Sequence, residues 1–244
     1  MGFVNQVLLG DCLKLMPQLP DQSIDLILSD PPYQMTNNSW DSILPLDQLW
    51  KEYRRITKPN AAIILMGAGL FSAQLMLSAP DLYKYTIIWE KNKATNFLNA
   101  KKQPLRSHED ILIFYQKQPT YNPQMTTGHK VTKSYKQGPK SSNYGHINPG
   151  FQWGGSDKRY PKSIIKIPVL NNDSGLKKHP TQKPVELGEY LIQTFSNSGN
   201  LMLDNCAGSG SFLVAAKRLK RDFIGIEINT KFHKIALERL NQLV

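Results

Sequence analysis

The sequence predicts an α/β protein built on one mixed, mostly parallel sheet with helices on both faces. Three observations predict it. Short apolar runs at residues 24–28, 61–66 and 201–203 have the length and composition of strands buried on both faces. Amphipathic helical stretches alternate with them, as crossovers between parallel strands require. Acidic or glycine-rich turns close several of these runs, at the carboxyl ends where open α/β sheets hold ligands.

In chain order, residues 4–9 read as a strand. Gly10-Asp11-Cys12 and a short helix with Leu13, Leu15, Met16 and Leu19 follow, so Asp11 sits at a strand end. The strand at 24–28 runs into Ser29-Asp30-Pro31-Pro32-Tyr33. Two prolines end sheet pairing there and stiffen the backbone, since each fixes φ and donates no hydrogen bond. A carboxylate, free carbonyls and an aromatic face are thus presented together. Residues 34–42 read as a polar loop, with Met35 and Trp40, placed to cover this turn. A helix at 45–57 carries Leu46, Leu49, Trp50, Tyr53 and Ile56 on one face and ends at Lys58-Pro59-Asn60. After the strand at 61–66 comes a helix at 70–78, then strands at 83–89 and 111–115, the latter expected antiparallel. A basic loop, 91–108, joins them. Residues 117–178 are rich in Gly, Pro, Asn, Ser and Lys, lack periodicity, and keep Tyr121, Tyr135, Tyr144, Phe151, Trp153 and Tyr160. They read as an inserted recognition region, because a disordered tract would carry fewer aromatics. Regular patterning returns with a helix at 185–195, the strand at 201–203, a helix at 211–220, a strand at 223–226 and a closing helix at 230–240. The expected organisation is one main domain, 1–116 with 179–244, and the insertion 117–178.

Composition narrows the function. No run is long enough to span a membrane and the N-terminus lacks a signal-peptide pattern, so a cytoplasmic location is expected. Cys12 and Cys206 fit no CxxC or disulfide framework, and the five histidines show no metal-ligand spacing; no metal is expected. Charge is uneven. Of the 30 Lys/Arg in the chain, 16 fall in residues 91–178 against 4 Asp/Glu, while the remainder is balanced at 14 against 15. A basic central segment on a near-neutral frame points to a polyanion, most simply nucleic acid.

A second constellation marks a nucleoside pocket. Asp204-Asn205-Cys206-Ala207-Gly208-Ser209-Gly210 leaves a strand and enters a helix, and Glu227 ends the next strand 19 residues after Gly208. Glycines let a ligand approach the backbone, the helix start offers oriented N–H groups, and an acid at that place can hold ribose hydroxyls. A dinucleotide would want a third glycine, where Leu213 stands, and Asp204 would repel a pyrophosphate. A cationic or zwitterionic nucleoside such as S-adenosylmethionine suits the turn better. A nicotinamide-dependent dehydrogenase is accordingly disfavoured.

These pieces resemble the DNA amino-methyltransferases, which methylate adenine N6 or cytosine N4. The order of motifs is similar to the β class. The resemblance is carried by Gly10-Asp11, Ser29 to Tyr33, Trp89-Glu90-Lys91, His108-Glu109, His179-Pro180-Thr181-Gln182-Lys183-Pro184, residues 204–210 and Gly225-Ile226-Glu227. Departures are Asn205-Cys206, where the family more often has Pro-Phe, and Phe232, where Tyr is common. The resemblance implies a Rossmann-like methyltransferase fold with an inserted DNA-recognition region, and S-adenosylmethionine as cofactor. It places Asp30, Pro31, Pro32 and Tyr33 at the catalytic turn. Asp11, Thr181, Lys183, Asp204, Ala207, Gly208, Gly210 and Glu227 would surround the cofactor: Asp11 at its adenine amine, Glu227 at its ribose, and Asp204, the glycine backbone, Thr181 and Lys183 at its methionine end. DNA is the implied partner, with a homodimer and a cognate restriction endonuclease of a restriction-modification system as further partners.

The residues imply a mechanism. An exocyclic amine is a poor nucleophile because its lone pair is delocalised into the ring. Asp30 and the Pro31 carbonyl, accepting its two N–H bonds, favour a localised lone pair. The base must leave the duplex to be reached, and Tyr33 offers it a stacking face. Methylation at cytosine C5 would need a Pro-Cys nucleophile, which neither cysteine provides. Aspartate at position 30 leans to adenine N6, since the family's N4 members more often have Ser there. Cytosine N4 is the alternative within the class, and a non-catalytic DNA-binding protein on a methyltransferase frame the alternative outside it. The test is geometric: residue 30 and residues 204–210 must meet at one edge of the sheet.

Overall fold

The computed structural model describes residues 2–33, 44–133, 135–136, 152–170 and 182–243. The chain forms two compact units, Met1–Asn122 with Ser163–Val244, and Pro123–Lys162. The first unit begins with β1 (Gln6–Leu9), α1 (Cys12–Leu15) with a 3-10 turn (Met16–Gln18), β2 (Ile24–Ser29), α2 (Leu46–Ile56) and β3 (Thr57–Gly67). It continues with α3 (Leu70–Ser78), β4 (Tyr83–Thr95) and β5 (Arg106–Phe114). In the second unit β6 (Tyr135–Lys136) pairs antiparallel with β7 (Gln152–Trp153). The chain then returns to the first unit with β8 (Ile164–Lys166), α4 (Val185–Phe195), β9 (Leu201–Asp204), α5 (Ser211–Arg218), β10 (Asp222–Glu227) and α6 (Thr230–Asn241).

Eight strands form one sheet in the order β1-β10-β9-β2-β3-β5-β4-β8. β5 is antiparallel to both its neighbours, and every other pairing in this sheet is parallel. The expected mixed sheet, with its one late antiparallel strand, is therefore present. Its central strands are apolar on both sides because both faces are covered. Leu26 and Leu28 of β2 point to a core shared with α4, α5 and α6, while Ile27 joins the core under α1, α2 and α3. Each such side chain, withdrawn from water, stabilises the fold by roughly 1.5–3 kcal/mol.

The helices form where the sequence repeats apolar residues at three and four. α2 buries Leu49, Trp50, Tyr53 and Ile56, with Asp47 in its first turn and Arg54 and Arg55 in its last, where each charge opposes the helix dipole. Thr57 follows, extended, and starts β3 rather than a loop. Pairing is Ile24 with Thr57 but Leu26 with Ala62, so β3 bulges around Pro59, which has no N–H for the ladder.

Two expectations change here. Residues 91–108 are not simply a loop: β4 continues to Thr95 and β5 starts at Arg106, with Glu90 opposite His108 and Thr95 opposite Arg106. Both sides of this extension are polar, so no period-two apolar signal marks it. Residues 164–166, within the span read as the insertion, pair with Ile88, Trp89 and Glu90 of β4. Trp89 Nε1 donates to the Ile167 carbonyl at 2.7 Å beside them. Among the described residues no helix is long and apolar enough to cross a membrane.

Candidate active site

Four adjacent parallel strands, β1, β10, β9 and β2, end at one edge of the sheet, and each delivers an acid there: Asp11, Glu227, Asp204 and Asp30. Ser29 Oγ donates to Asp204 Oδ1 at 3.2 Å, tying the end of β2 to the end of β9. Asp30 and the glycine turn after Asp204 therefore lie side by side. Because β5 runs the opposite way, its start reaches the same edge, with Asp110 opposite Gly67 of β3. Glu109 joins the rim from that direction.

The half built on β1, β10 and β9 holds its acids with backbone donors. Asp11 caps α1, accepting from Leu13 N at 2.9 Å. Glu227 accepts from Gly208 N and from Asn229 N, each at 2.7 Å. Asp204 accepts from Cys206 N at 3.2 Å as well as from Ser29. None of the three makes an ion pair among the described residues. Burial pushes the Asp204 carboxyl up to about 8, and the Cys206 N–H and Ser29 hydroxyl offset this only in part. Burial also raises Glu227 above the usual carboxylate range, against the N–H groups of Asn229 and Gly208.

The turn itself requires glycine. Gly208 and Gly210 have φ of +52° and +74°. A Cβ on Gly210 would come within 2.9 Å of Ala236 Cβ on α6, whereas one on Gly208 would meet nothing within 4 Å. Gly210 thus serves packing, and Gly208 leaves its backbone open to an approaching group. Ala207, buried between them and the strand, donates its N–H to the Ile226 carbonyl at 2.9 Å. The close helix–sheet approach that a third glycine would allow comes from the opposite surface: Gly225 of β10 makes room for Leu213, whose Cδ1 lies 2.4 Å from where a Cβ would sit.

The half built on β2, β4 and β5 compensates its acids with ammonium groups. Lys183 Nζ donates to Asp30 Oδ2, and Tyr33 Oη donates to Asp30 Oδ1. Lys183 also stands 3.4 Å from Glu109 Oε2, while Lys91 Nζ donates to Glu109 Oε1 at 3.0 Å. Burial raises the Asp30 carboxyl, and Lys183 lowers it less than burial raises it. Burial acts the same way on Glu109, but Lys183 and Lys91 outweigh it and hold that carboxyl below its ordinary value. Tyr33 stacks on Phe71 with centroids 5.0 Å apart at 27°, and Lys183 Nζ lies over the Tyr33 ring, 5.8 Å from its centroid. Pro31 is buried and Pro32 half-buried in the same turn. An open pocket of about 320 Å³ borders Glu109 and Asp110, walled by Ala68, Gly69, Leu105 and His108.

The structure brings Asp11, Glu227, Asp204, Ala207, Gly208, Gly210, Asp30 and the Pro-Pro-Tyr turn to one edge. It sets Lys183, expected beside the methionine end of a cofactor, against Asp30. Thr181 and the loop at 34–42 lie outside the described residues, as does His179. Lys91 and Glu109 stand in sequence motifs with no role to be read there, because a buried charged pair on neighbouring strands has no signal in one sequence. Cys12 and Cys206, which fit no disulfide framework, share a hydrogen-bonding partner. Asn205 Nδ2 reaches both sulfurs, at 3.7 and 3.5 Å, while Tyr53 Oη of α2 donates to Asn205 Oδ1 at 2.6 Å. The unusual Asn205 thus links α2 to the glycine turn. Among the described residues no cluster of three or more His, Cys, Asp or Glu could hold a metal ion.

Comparison with known proteins agrees with this arrangement. The chain is 30% identical to the type II methyltransferase M.HpaI of Haemophilus parainfluenzae, over 97% of this chain and 74% of that protein. It is 29% identical to the DNA adenine methyltransferase YhdJ of Escherichia coli K12, over 95% of this chain and 81% of that one. Two solved structures share the fold. The cytosine-N4-specific PvuII DNA methyltransferase superposes with a TM-score of 0.71 at 15% identity, covering 96% of this chain and 85% of that one. M1.HpyAVI in its SAM complex gives 0.63 at 24% identity, covering 97% and 98%. The family model described as DNA methylase matches residues 24–238, a span that holds the Asp30 turn, the Lys183–Asp30 pair, the glycine turn and Glu227. This chain therefore belongs to the DNA methylase family of N6- and N4-methyltransferases.

Proposed function

We propose that this DNA methyltransferase acts on the exocyclic N6 of adenine, with S-adenosylmethionine as methyl donor. The observation that carries the reading is Asp30, set at the end of β2 beside the Asp204 turn of β9. Asp204 and Glu227, which are buried, and the half-buried Asp11, all without ion pairs among the described residues, form an acceptor set suited to a cationic nucleoside. The open side of Gly208 leaves room for its approach. Asp11 would accept from the cofactor's adenine amine, Glu227 from its ribose hydroxyls, and Asp204 and the glycine turn would hold its methionine end, with Thr181. When bound, S-adenosylmethionine supplies an electrophilic methyl group and leaves as a neutral thioether.

The chain's own residues prepare the acceptor. Asp30 and the Pro31 carbonyl accept the two N–H bonds of the target amine, which localises its lone pair toward the methyl carbon. Such fixed acceptors are worth a few kcal/mol of barrier each. Methylation leaves the nitrogen with a surplus proton, and Asp30, whose carboxyl burial has raised, takes it up. Tyr33, braced by Phe71, provides a face for the base. The basic segment 91–178, including the compact unit Pro123–Lys162, supports the reading that this part of the chain engages DNA phosphates and recognises sequence. Aspartate at position 30 favours adenine over cytosine N4, and the likeness to the adenine methyltransferase YhdJ agrees. Mass analysis of nucleosides from DNA of cells expressing the chain tests this. 6-Methyladenine is the expected product, and N4-methylcytosine alone would overturn the assignment.

A further inference from the structure

Both oxygens of the Asp30 carboxylate are engaged, by Tyr33 Oη and by the Lys183 ammonium. That ammonium donates to Asp30 and lies over the Tyr33 ring. A base stacked on Tyr33 with its amine on Asp30 needs the same place, so Lys183 stands where the target amine must go. Only 3.4 Å away is Glu109 Oε2, a buried carboxylate oxygen without a hydrogen bond among the described residues. That oxygen is paired with Lys183 by charge, at a distance beyond a good hydrogen bond, and can take the ammonium at closer range. Its carboxylate is fixed from the other side by Lys91, itself only 4% exposed in its side chain.

We propose that Lys183 is a placeholder for the target amine: it occupies Asp30 when the pocket is empty and shifts to Glu109 Oε2 as the base enters. Lys183 and Glu109 are then positioning residues, acting through Asp30. Because Glu109 Oε2 lies only 3.4 Å from Lys183 Nζ, the ammonium stays near both carboxylates while Asp30 exchanges its hydrogen bond for that of the amine. It also explains why a cation resides in a pocket meant for a neutral base. The titratable and charged groups facing Asp30 are Lys183, Tyr33 and Glu109 within the pocket, and Asp204 from β9. Lys183 stays charged in either position, because the two carboxylates more than offset the effect of burial and raise it above the ordinary lysine value.

The inference rests on the adenine reading, and the experiment separates the two. Wild-type protein first maps its methylated site by nucleoside analysis and sequencing; absence of 6-methyladenine defeats that reading. A duplex that keeps adenine at the mapped position and carries 2-aminopurine as its stacking neighbour then reports base extrusion by the neighbour's fluorescence, without methyl transfer. Glu109→Gln removes the receiving charge, so base capture weakens by about tenfold, the worth of one charge-assisted hydrogen bond. Lys183→Met removes the competitor, so capture strengthens while the acid limb of the pH–rate profile moves to higher pH. The double variant Lys183→Met/Glu109→Gln captures the base as Lys183→Met does, because Glu109 acts only through Lys183. Thermal melts and S-adenosylmethionine binding confirm that each variant is folded. Effects of the same sign in the two single variants, or additive effects in the double, would overturn the placeholder while leaving the adenine reading intact.

Discussion

The two halves of the rim carry acids in similar number and treat them in opposite ways. Asp11, Asp204 and Glu227 are held by N–H groups and a hydroxyl, with no ammonium or guanidinium paired to them among the described residues. Asp30 and Glu109, one and three strands from β9, are matched by Lys183 and Lys91. On the function proposed above, the contrast is one of ligand charge. Desolvated carboxylates without a counterion favour a cation, and a sulfonium with an α-ammonium provides one. A neutral heterocycle enters best where charge is already balanced, because it brings nothing to offset an unpaired one.

The largest effect that could break this comparison is at Asp30. Asp30→Ala should lower turnover by roughly 10³-fold while leaving S-adenosylmethionine affinity unchanged, read by single-turnover kinetics and calorimetry. Equal damage to both quantities would erase the distinction between the halves. Next comes Asp204→Asn, which should weaken cofactor binding by about 10- to 100-fold, the cost of a charge-assisted contact. The same change should stabilise the ligand-free protein at alkaline pH. Folding raises the Asp204 carboxyl from 3.8 to about 8, so wild type loses stability as pH climbs through that window. Asparagine does not titrate, and a higher melting temperature at pH 8.5 with none at pH 4 is the expected pattern. For the same reason, cofactor binding to wild type at neutral pH should release protons, seen as a buffer-dependent enthalpy.

The smallest effects sharpen the division of labour inside the glycine turn. Gly210→Ala should cost about 1–3 kcal/mol of stability, since its Cβ meets Ala236 at 2.9 Å and its φ is +74°. Gly208→Ala should cost only about 1 kcal/mol, from backbone strain, and should act mainly on cofactor affinity. Denaturant melts and calorimetry on the pair decide whether one glycine serves packing and the other binding.

Local pattern made much of this legible. The helix at 70–78 and the helix at 185–195 lie where they were expected, and Asp11, Asp30, Asp204 and Glu227 sit at strand ends as expected. What escaped was whatever depends on a distant partner. Lys183 and Asp30 are 153 residues apart in sequence, and no local propensity couples them. Leu213 looked like a missing glycine because the glycine that accommodates it, Gly225, lies on the next strand. The extension of β4 and β5 was hidden because polar side chains on both its faces leave no alternation to read.

One feature of the topology bears on how the protein is made. β9 and β10 come from residues 201–227, yet they occupy the middle of the sheet, between β1 and β2. Until they arrive, the early strands β1 and β2 have no bridge across a gap of about 14 Å, three strand spacings. A nascent chain on the ribosome therefore cannot close this sheet before residues 201–227 have emerged, and such long-range pairing folds slowly. Chains that stop before residue 201 would consequently lack β9, β10 and the acids at their ends, Asp204 and Glu227, and could not bring them beside Asp11 and Asp30.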